Sequence, residues 1–473
     1  MAEHLATVRT PFPHQQKVLE WARSRHKIGL FLSMRLGKSM VAIRWQRLQP
    51  MQGPDSHILV ICPKQVIEVW EEELAMEGMP CTVLRPPMDE RLTALQESPH
   101  KWFIVNPEGL FVPGQKYPSG RRKIVPSPIA MLPWHTVIVD ESTLIKNPKA
   151  QITKVCLQCF NAVPFKAILS GLPNPESTLD FYCQMAFLST YGEFMGYHNY
   201  WSFRKHLFTP GWTGYDWTPM KGMSERIRAA VGERTIFMTR KEAGFVENKV
   251  FERRYVDLPT PTQKKYGKIE RDFALSLDDT TKFSVVKQTW LLRVAGGVFP
   301  DHPELSHNRK IDEMLSLFKG ELKGQRAVIW FRFNDELYKA EEAIRKAGYR
   351  TAHITGLTPL EDRAERKIRF NTGKIDYLCM QIKCGRFGIN LSAASVAILY
   401  SLPDSNEQFA QLQDRIVHMA KEGPLLYLYL LSRDTIDEDR YLALQVKGLT
   451  AKSFNQKVLQ NLKKRVAARV AMR

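Results

Sequence analysis

Short apolar runs recur along this chain, separated by stretches whose apolar residues return at helical spacing. In the first half they are Ile28–Leu32, Ile58–Cys62, Trp102–Val105, Thr136–Val139 and Ala167–Leu169. In the second they are Ala327–Phe331, Thr351–Ile354, Tyr377–Met380, Val396–Tyr400 and Leu425–Leu431. Runs this short and rich in β-branched residues read as buried strands. Strands alternating with helices predict parallel sheets covered on both faces, and two such sets predict two α/β domains. We place them at 1–240 and 321–445. The stretch between the two sets of strands, roughly 190–320, is less regular. An aromatic-rich segment (190–235) holds Tyr197, Tyr200, Trp201, Phe203, Trp212, Tyr215 and Trp217, read as a small core in preference to a base-stacking surface. Residues 241–320 are expected to be a partly helical insertion and 446–473 a basic tail.

Composition sharpens this. With 473 residues the chain exceeds a single core, and its 44% apolar content is that of a globular protein. No stretch reaches the ~18 apolar residues of a membrane span, and the first residues lack a signal-peptide core, so no membrane partner is expected. Seven scattered cysteines suit a reducing compartment, and Cys156-x-x-Cys159 reads as helix packing. Lys and Arg outnumber Asp and Glu 68 to 49, a formal charge of +19, which points to a polyanionic partner, most simply nucleic acid. Arg121-Arg122-Lys123 sits in a Pro/Gly-flanked segment, Pro113 to Pro128, read as a surface loop.

Two motifs carry chemistry. Leu36-Gly37-Lys38-Ser39 follows the first strand. Gly37 lets the backbone approach a phosphate, Lys38 supplies a point charge, Ser39 offers an oxygen to Mg²⁺, and Met40 to Leu48 reads as the helix facing the anion. The usual first glycine of such a loop falls at Leu32, and Arg35 stands where glycine is common. Asp140-Glu141 closes the strand at Val137–Val139, where the ligand crevice of an α/β sheet opens. Adjacent acids repel, so a cation or catalysis is the expected reason for them. Asp140 is assigned to Mg²⁺ and Glu141 to the attacking water.

Asp140-Glu141-Ser142-Thr143-Leu144-Ile145-Lys146-Asn147 resembles the D-E-A-H-x-x-K-N signature of Swi/Snf-type DNA translocases, in the DEAD/DEAH-box superfamily. Ile58–Pro63 with Trp70 and Glu71 is similar to that family's motif Ia. Leu169-Ser170-Gly171-Leu172-Pro173 stands at its S/T-G-T-P motif, with Leu172 for threonine. Pro13-His14-Gln15 resembles its Q-type element. Gly356-Leu357-Thr358-Pro359, Arg363 and Phe370 resemble a further segment, Gly388-Ile389-Asn390-Leu391 motif V, Gln411-x-x-Asp414-Arg415 motif VI, and Thr435-Ile436-Asp437-Glu438 the T-I-D-E that follows. The resemblance runs over about residues 10–445.

The resemblance implies two tandem RecA-like domains and a nucleic-acid-dependent ATPase using ATP and Mg²⁺. It implies nucleotide contacts at Gln15 (adenine), Arg35, Leu36, Gly37, Lys38, Ser39, Gly388, Asn390, Arg415 and His418. Arg415 is the expected arginine finger, a role worth ~10³–10⁵ in rate. The family's second arginine is His418 here, and neutral imidazole does not replace a permanent cation. Arg386 is a possible substitute, though a nucleic-acid or surface contact is the reading favoured for it. Lys64, Arg332 and Lys383 are expected at nucleic-acid phosphates. The function expected is an ATP-driven motor on duplex or branched DNA, without sequence preference, remodelling forks or annealing intermediates in replication, recombination or repair, with proteins of those processes as partners. Its compartment would be the cytoplasm of a bacterium or a phage-infected cell, or a eukaryotic nucleus. Alternatives are an RNA or single-strand helicase, and a nucleotide-gated binding protein with little turnover.

Overall fold

The computed structural model describes residues 9–51, 53, 56–116, 122–171, 173, 177–211, 217–245, 248–275, 282–386, 391–418, 423–446 and 451–471. The chain divides into two compact units, meeting at Val246 and Glu247.

Unit one is built on seven parallel strands: β1 (Lys27–Leu32), β2 (Ile58–Ile61), β3 (Cys81–Val83), β4 (Trp102–Val105), β5 (Thr136–Asp140), β6 (Phe165–Leu169) and β7 (Thr235–Met238), in the order β7-β1-β6-β5-β2-β4-β3. Inner strands β2, β4 and β6 are buried at every position, as expected of a sheet covered on both faces. Helices α1 (Pro13–Ala22), α2 (Lys38–Arg47), α3 (Ile67–Met76) and α4 (Phe181–Leu188) supply the residues that matter below.

Unit two holds six parallel strands: β8 (Lys249–Val256), β9 (Ala327–Phe331), β10 (Thr351–Ile354), β11 (Tyr377–Gln381), β12 (Val396–Leu399) and β13 (Leu425–Ser432), in the order β8-β13-β12-β9-β11-β10. Its two faces fill two cores. Along β9, Val328 and Trp330 join one, while Ala327, Ile329 and Phe331 join the other, the period-two alternation of a doubly covered strand.

Three segments differ from the sequence reading. Residues 241–320 do not form a separate insertion. Lys249 pairs with Leu425 through to Val256 with Ser432, making β8 an edge strand of the second sheet. Helices α5 (Thr260–Leu275) and α6 (Lys282–Gly296) put Tyr266, Phe273, Leu291 and Val294 into the same core. Within the basic tail read at 446–473, α8 (Ala451–Ala471) buries Phe454, Val458 and Leu462 and packs on α5 and on α7 (Ile436–Leu444). Its Arg465 reaches Glu270 and Asp439, each at 2.6 Å. Third, the segment read as a loop from Pro113 is an antiparallel hairpin, Phe111–Lys116 with Arg122–Pro126; Arg121 lies outside the described residues.

Cys156 and Cys159 lie on the helix Gln151–Cys159, and burial pushes both thiols up. Phe203 is fully buried among Tyr182, Phe194 and Tyr197, the small core expected of the aromatic segment; Trp212 and Tyr215 are not described. No described helix is long and apolar enough to cross a membrane.

Candidate active site

The turn between β1 and α2 carries the Gly37-Lys38-Ser39 sequence at the carboxyl end of the sheet. Gly37 caps α2 at φ 77°. A Cβ there would lie 2.2 Å from Gln15 Nε2 and would displace that amide, and the positive φ itself favours glycine. Arg35, in place of a glycine, also has positive φ, 70°. The carbonyls on either side of it are clamped. Arg240 Nε donates to Met34 O at 3.1 Å, and Gln15 Nε2 donates to Leu36 O at 3.1 Å. His14 Nε2 lies 3.2 Å from that same Leu36 oxygen. Surroundings that fix the neighbouring peptides hold a non-glycine residue in this costly region.

Gln15, read as an adenine contact, braces the loop with its amide. Its Oε1 accepts from Phe12 N at 2.9 Å, capping α1, and its Nε2 anchors the loop. His14 beside it lies between Phe12, stacked at 5.9 Å, and Phe245, edge-on at 6.0 Å.

Asp140 ends β5 facing this turn. Trp70 Nε1 on α3 donates to its Oδ2 at 2.8 Å, and the Glu141 N–H to its Oδ1 at 2.9 Å. Burial pushes the carboxyl above its ordinary range, against those hydrogen bonds and the Lys38 charge. Lys38 Nζ donates to Leu32 O at 2.9 Å and lies 3.4 Å from Ser33 O. Glu141 turns left-handed, φ 56° and ψ 66°. Its Oε1 accepts from Thr143 Oγ1 at 3.0 Å and from Ser170 Oγ at 3.3 Å.

The third loop, after β6, closes the group. A Cβ on Gly171 would lie 3.2 Å from Met34 Cγ and 3.7 Å from Lys38 Nζ. The loops at 33–37, 140–143 and 170–173 therefore converge in unit one. Gln184, fully buried on α4, accepts from Ser142 Oγ at 2.6 Å and donates to the carbonyls of Pro173 (2.7 Å) and Asp180 (2.8 Å). Lys146 Nζ is 3.7 Å from Asp180. Leu172 lies outside the described residues.

In unit two, Arg415 is buried and donates from Nε to Gly385 O at 2.7 Å, while its own carbonyl accepts from Leu391 N at 3.2 Å. The two segments that resemble motifs V and VI are thus held together by this arginine. His418 is exposed; Gly388 and Asn390, with the side chain of Arg386, lie outside the described residues. Lys64, on the short turn Lys64–Val66 after β2, and Lys383, on Ile382–Arg386 after β11, are exposed. Arg332 is ion-paired with Asp404, which also takes Arg440 at 2.9 Å.

Sequence reading missed Gln184, Thr143, Arg240 and the anchoring use of His14. One signal was present: Gln184 is the single amide in the otherwise apolar run Phe-Tyr-Cys-Gln-Met-Ala-Phe-Leu, and a buried polar group requires partners. Arg240 offered none, since its partner is a backbone oxygen 206 residues away.

Two parallel-sheet units, the first bringing a glycine–lysine–serine turn against an acid pair, define a tandem RecA-like nucleoside triphosphatase. The SNF2-related domain matches residues 14–210 and the helicase conserved C-terminal domain residues 307–420. The chain belongs to the Swi/Snf-type helicase-like family and is a nucleic-acid-dependent ATPase. It is 23% identical over 471 residues to the probable global transactivator of Orgyia pseudotsugata multicapsid polyhedrosis virus, covering 92% of this chain and 89% of that one. It is 22% identical over 469 residues to the ISWI chromatin-remodeling complex ATPase ISW1 of Saccharomyces cerevisiae, covering 90% of this chain but 39% of that protein. The Hef helicase domain of Pyrococcus furiosus shares the fold, with TM-score 0.53 and 12% identity over 92% of this chain and 98% of that domain.

Proposed function

We propose that the chain is a Mg-ATP-driven translocase that remodels DNA. The observation that carries this reading is the convergence of Lys38, Asp140, Glu141 and Ser170 in unit one, with the lysine charge acting on a buried carboxylate. Lys38, now donating to two backbone oxygens, has the reach and charge to take a β/γ-phosphate in their place. The Ser39 hydroxyl and Asp140 carboxylate are hard oxygen donors suited to Mg²⁺, and a desolvated carboxylate is stabilised by a cation. That ion, when bound, neutralises charge on the phosphate oxygens. Glu141, held by Thr143 and Ser170, orients the water that attacks the γ-phosphate. Arg415 is the cation we assign to the charge that develops there.

DNA as partner is supported by the +19 charge and by the family. Exposed Lys64 and Lys383 are the phosphate contacts we retain, and Arg332, committed to Asp404, is the one we drop. Contacts to phosphates position the protein without reading sequence and weaken steeply with salt. Fork, branch or annealing intermediates in replication, recombination or repair remain the role we propose.

The test is ATP turnover measured separately with duplex DNA, single strands, forked DNA and RNA. Duplex or forked DNA should stimulate it most, and Glu141→Gln should abolish turnover while nucleotide still binds. Stimulation by RNA alone would replace the DNA reading. Hydrolysis that survives Lys38→Ala would remove the assignment of the site.

A further inference from the structure

The opposite end of the first sheet holds a second cationic site. At the amino ends of β1, β6 and β7 lies an open cavity of about 640 Å³, lined by Arg25, His26, Lys27, Pro164, Thr190 and Arg234 among others. It is separated from the Lys38 turn by the length of β1, Lys27 to Leu32. Lys166, on β6 and fully buried beside it, donates from Nζ to Ser189 O at 2.8 Å and to Asn161 O at 3.3 Å.

Among the described residues, Arg25, Lys27, Lys166 and Arg234 make no salt bridge to a carboxylate, and Glu233 is the one acid of the lining. The cations also repel one another. Burial and then the Arg234 charge lower the Lys27 pKa, and burial followed by the charges of Lys27 and Arg234 lowers that of Lys166 to about 7. Arg25 adds a guanidinium stacked 4.7 Å above Trp21, with its Nε buried and unpartnered. Like charges gathered around a single acid, Glu233, are under-compensated and destabilising on their own. Repulsion among several cations is offset best by a group carrying more than one negative charge, and a carboxylate carries one. The volume is that of a nucleotide-sized ligand site.

We propose that this cavity binds a phosphate group, with Lys27 and Arg234 at its mouth as the ligating cations. The phosphate comes either from a free phosphate-bearing small molecule or from a nucleic-acid backbone passing the rear of unit one. It stands apart from the ATP site and from the phosphate contacts assigned at the carboxyl ends of the strands.

The experiment compares the full chain with a Lys27→Glu/Arg234→Glu variant, both positions lying at the surface end of the strands. Inorganic pyrophosphate is titrated calorimetrically, and duplex DNA binding is measured against salt. With a small-molecule source, the unmodified chain takes up two pyrophosphates and the variant one, the second site losing at least tenfold in affinity. With a nucleic-acid source, duplex affinity falls in the variant and the salt slope shrinks by about one to two. Unchanged pyrophosphate stoichiometry together with unchanged DNA affinity and slope overturns the proposal. Should the double variant melt early, Lys27→Ala gives the same reading on a milder change.

Discussion

Ser142 donates its hydroxyl hydrogen to Gln184 at 2.6 Å, and Gln184 holds the carbonyls of Pro173 and Asp180. The residue after the acid pair is thereby fastened to the segment after Ser170. Glu141 is tied to the same segment through Ser170 itself. The acid loop and the loop after β6 are therefore tied together by side-chain hydrogen bonds.

Gln184→Leu strands the Ser142 hydroxyl and two carbonyls in an apolar setting, each unsatisfied group costing ~1–3 kcal/mol. We expect a lower melting temperature for unit one, and slower ATP turnover at near-normal nucleotide affinity. Calorimetry and steady-state kinetics check it; a variant that melts and turns over like the parent shows that the amide organises nothing.

Gly385→Ala places a Cβ 2.4 Å from Leu412 Cδ2 and 2.7 Å from Trp330 Cζ3. Trp330 is fully buried, so the strand end must shift, at ~1–3 kcal/mol. Because Arg415 hangs on the Gly385 carbonyl, turnover should fall further than stability predicts. Comparing kcat with the urea midpoint separates the two; equal effects on both would make the Arg415 contact incidental.

Unit two should have a pH optimum of stability near pH 5–6. Glu336 is buried, accepts from Ser401 Oγ at 2.5 Å, and has its pKa raised by burial from 4.5 to about 7. The folded state keeps a proton that the unfolded chain has released, so stability falls as pH rises through that window. His307 is the reverse: burial lowers it from 6.5 to about 4, so stability falls as pH drops through that window. Glu336→Gln should flatten the alkaline limb by about 2 kcal/mol between pH 5.5 and 8. Urea midpoints across that range test this, and an unaltered slope would contradict it.

Arg465→Met leaves Asp439 and part of Glu270 as buried carboxylates without their main cation, since Arg469 still reaches Glu270 at 3.0 Å. Removing one partner of a buried pair costs ~3–5 kcal/mol. We expect early melting of unit two, with that of unit one unchanged. A small loss would mean that the apolar face of α8 suffices.

All ten apolar runs became strands of the two sheets, within two residues at each end. Burial on both faces makes such strands continuous in sequence. The three that escaped, β3, β7 and β8, lie at or next to a sheet edge. Edges face water on one side; Lys249-Val-Phe-Glu-Arg-Arg-Tyr-Val256 carries four charges and reads as a polar connector. The acid pair and the glycine–lysine turn were legible because their chemistry needs those residues in those places. The clamps around Arg35, the amide of Gln184 and the Asp404 that occupies Arg332 were not. Each is a contact between segments distant in sequence, fixed by packing and not by spacing.

The pairing of β8 with β13 has a consequence during synthesis. By Met238 the ribosome has delivered every strand of the first sheet. The first strand of the second sheet then waits from Lys249 until Leu425 emerges. Val250 and Phe251, exposed by about half even in the finished fold, stay open throughout that interval. Loop closure over so long a span is slow, and an unpaired strand is prone to wrong partners. The half-made second unit is thus the stage at which this strand stands without its partner.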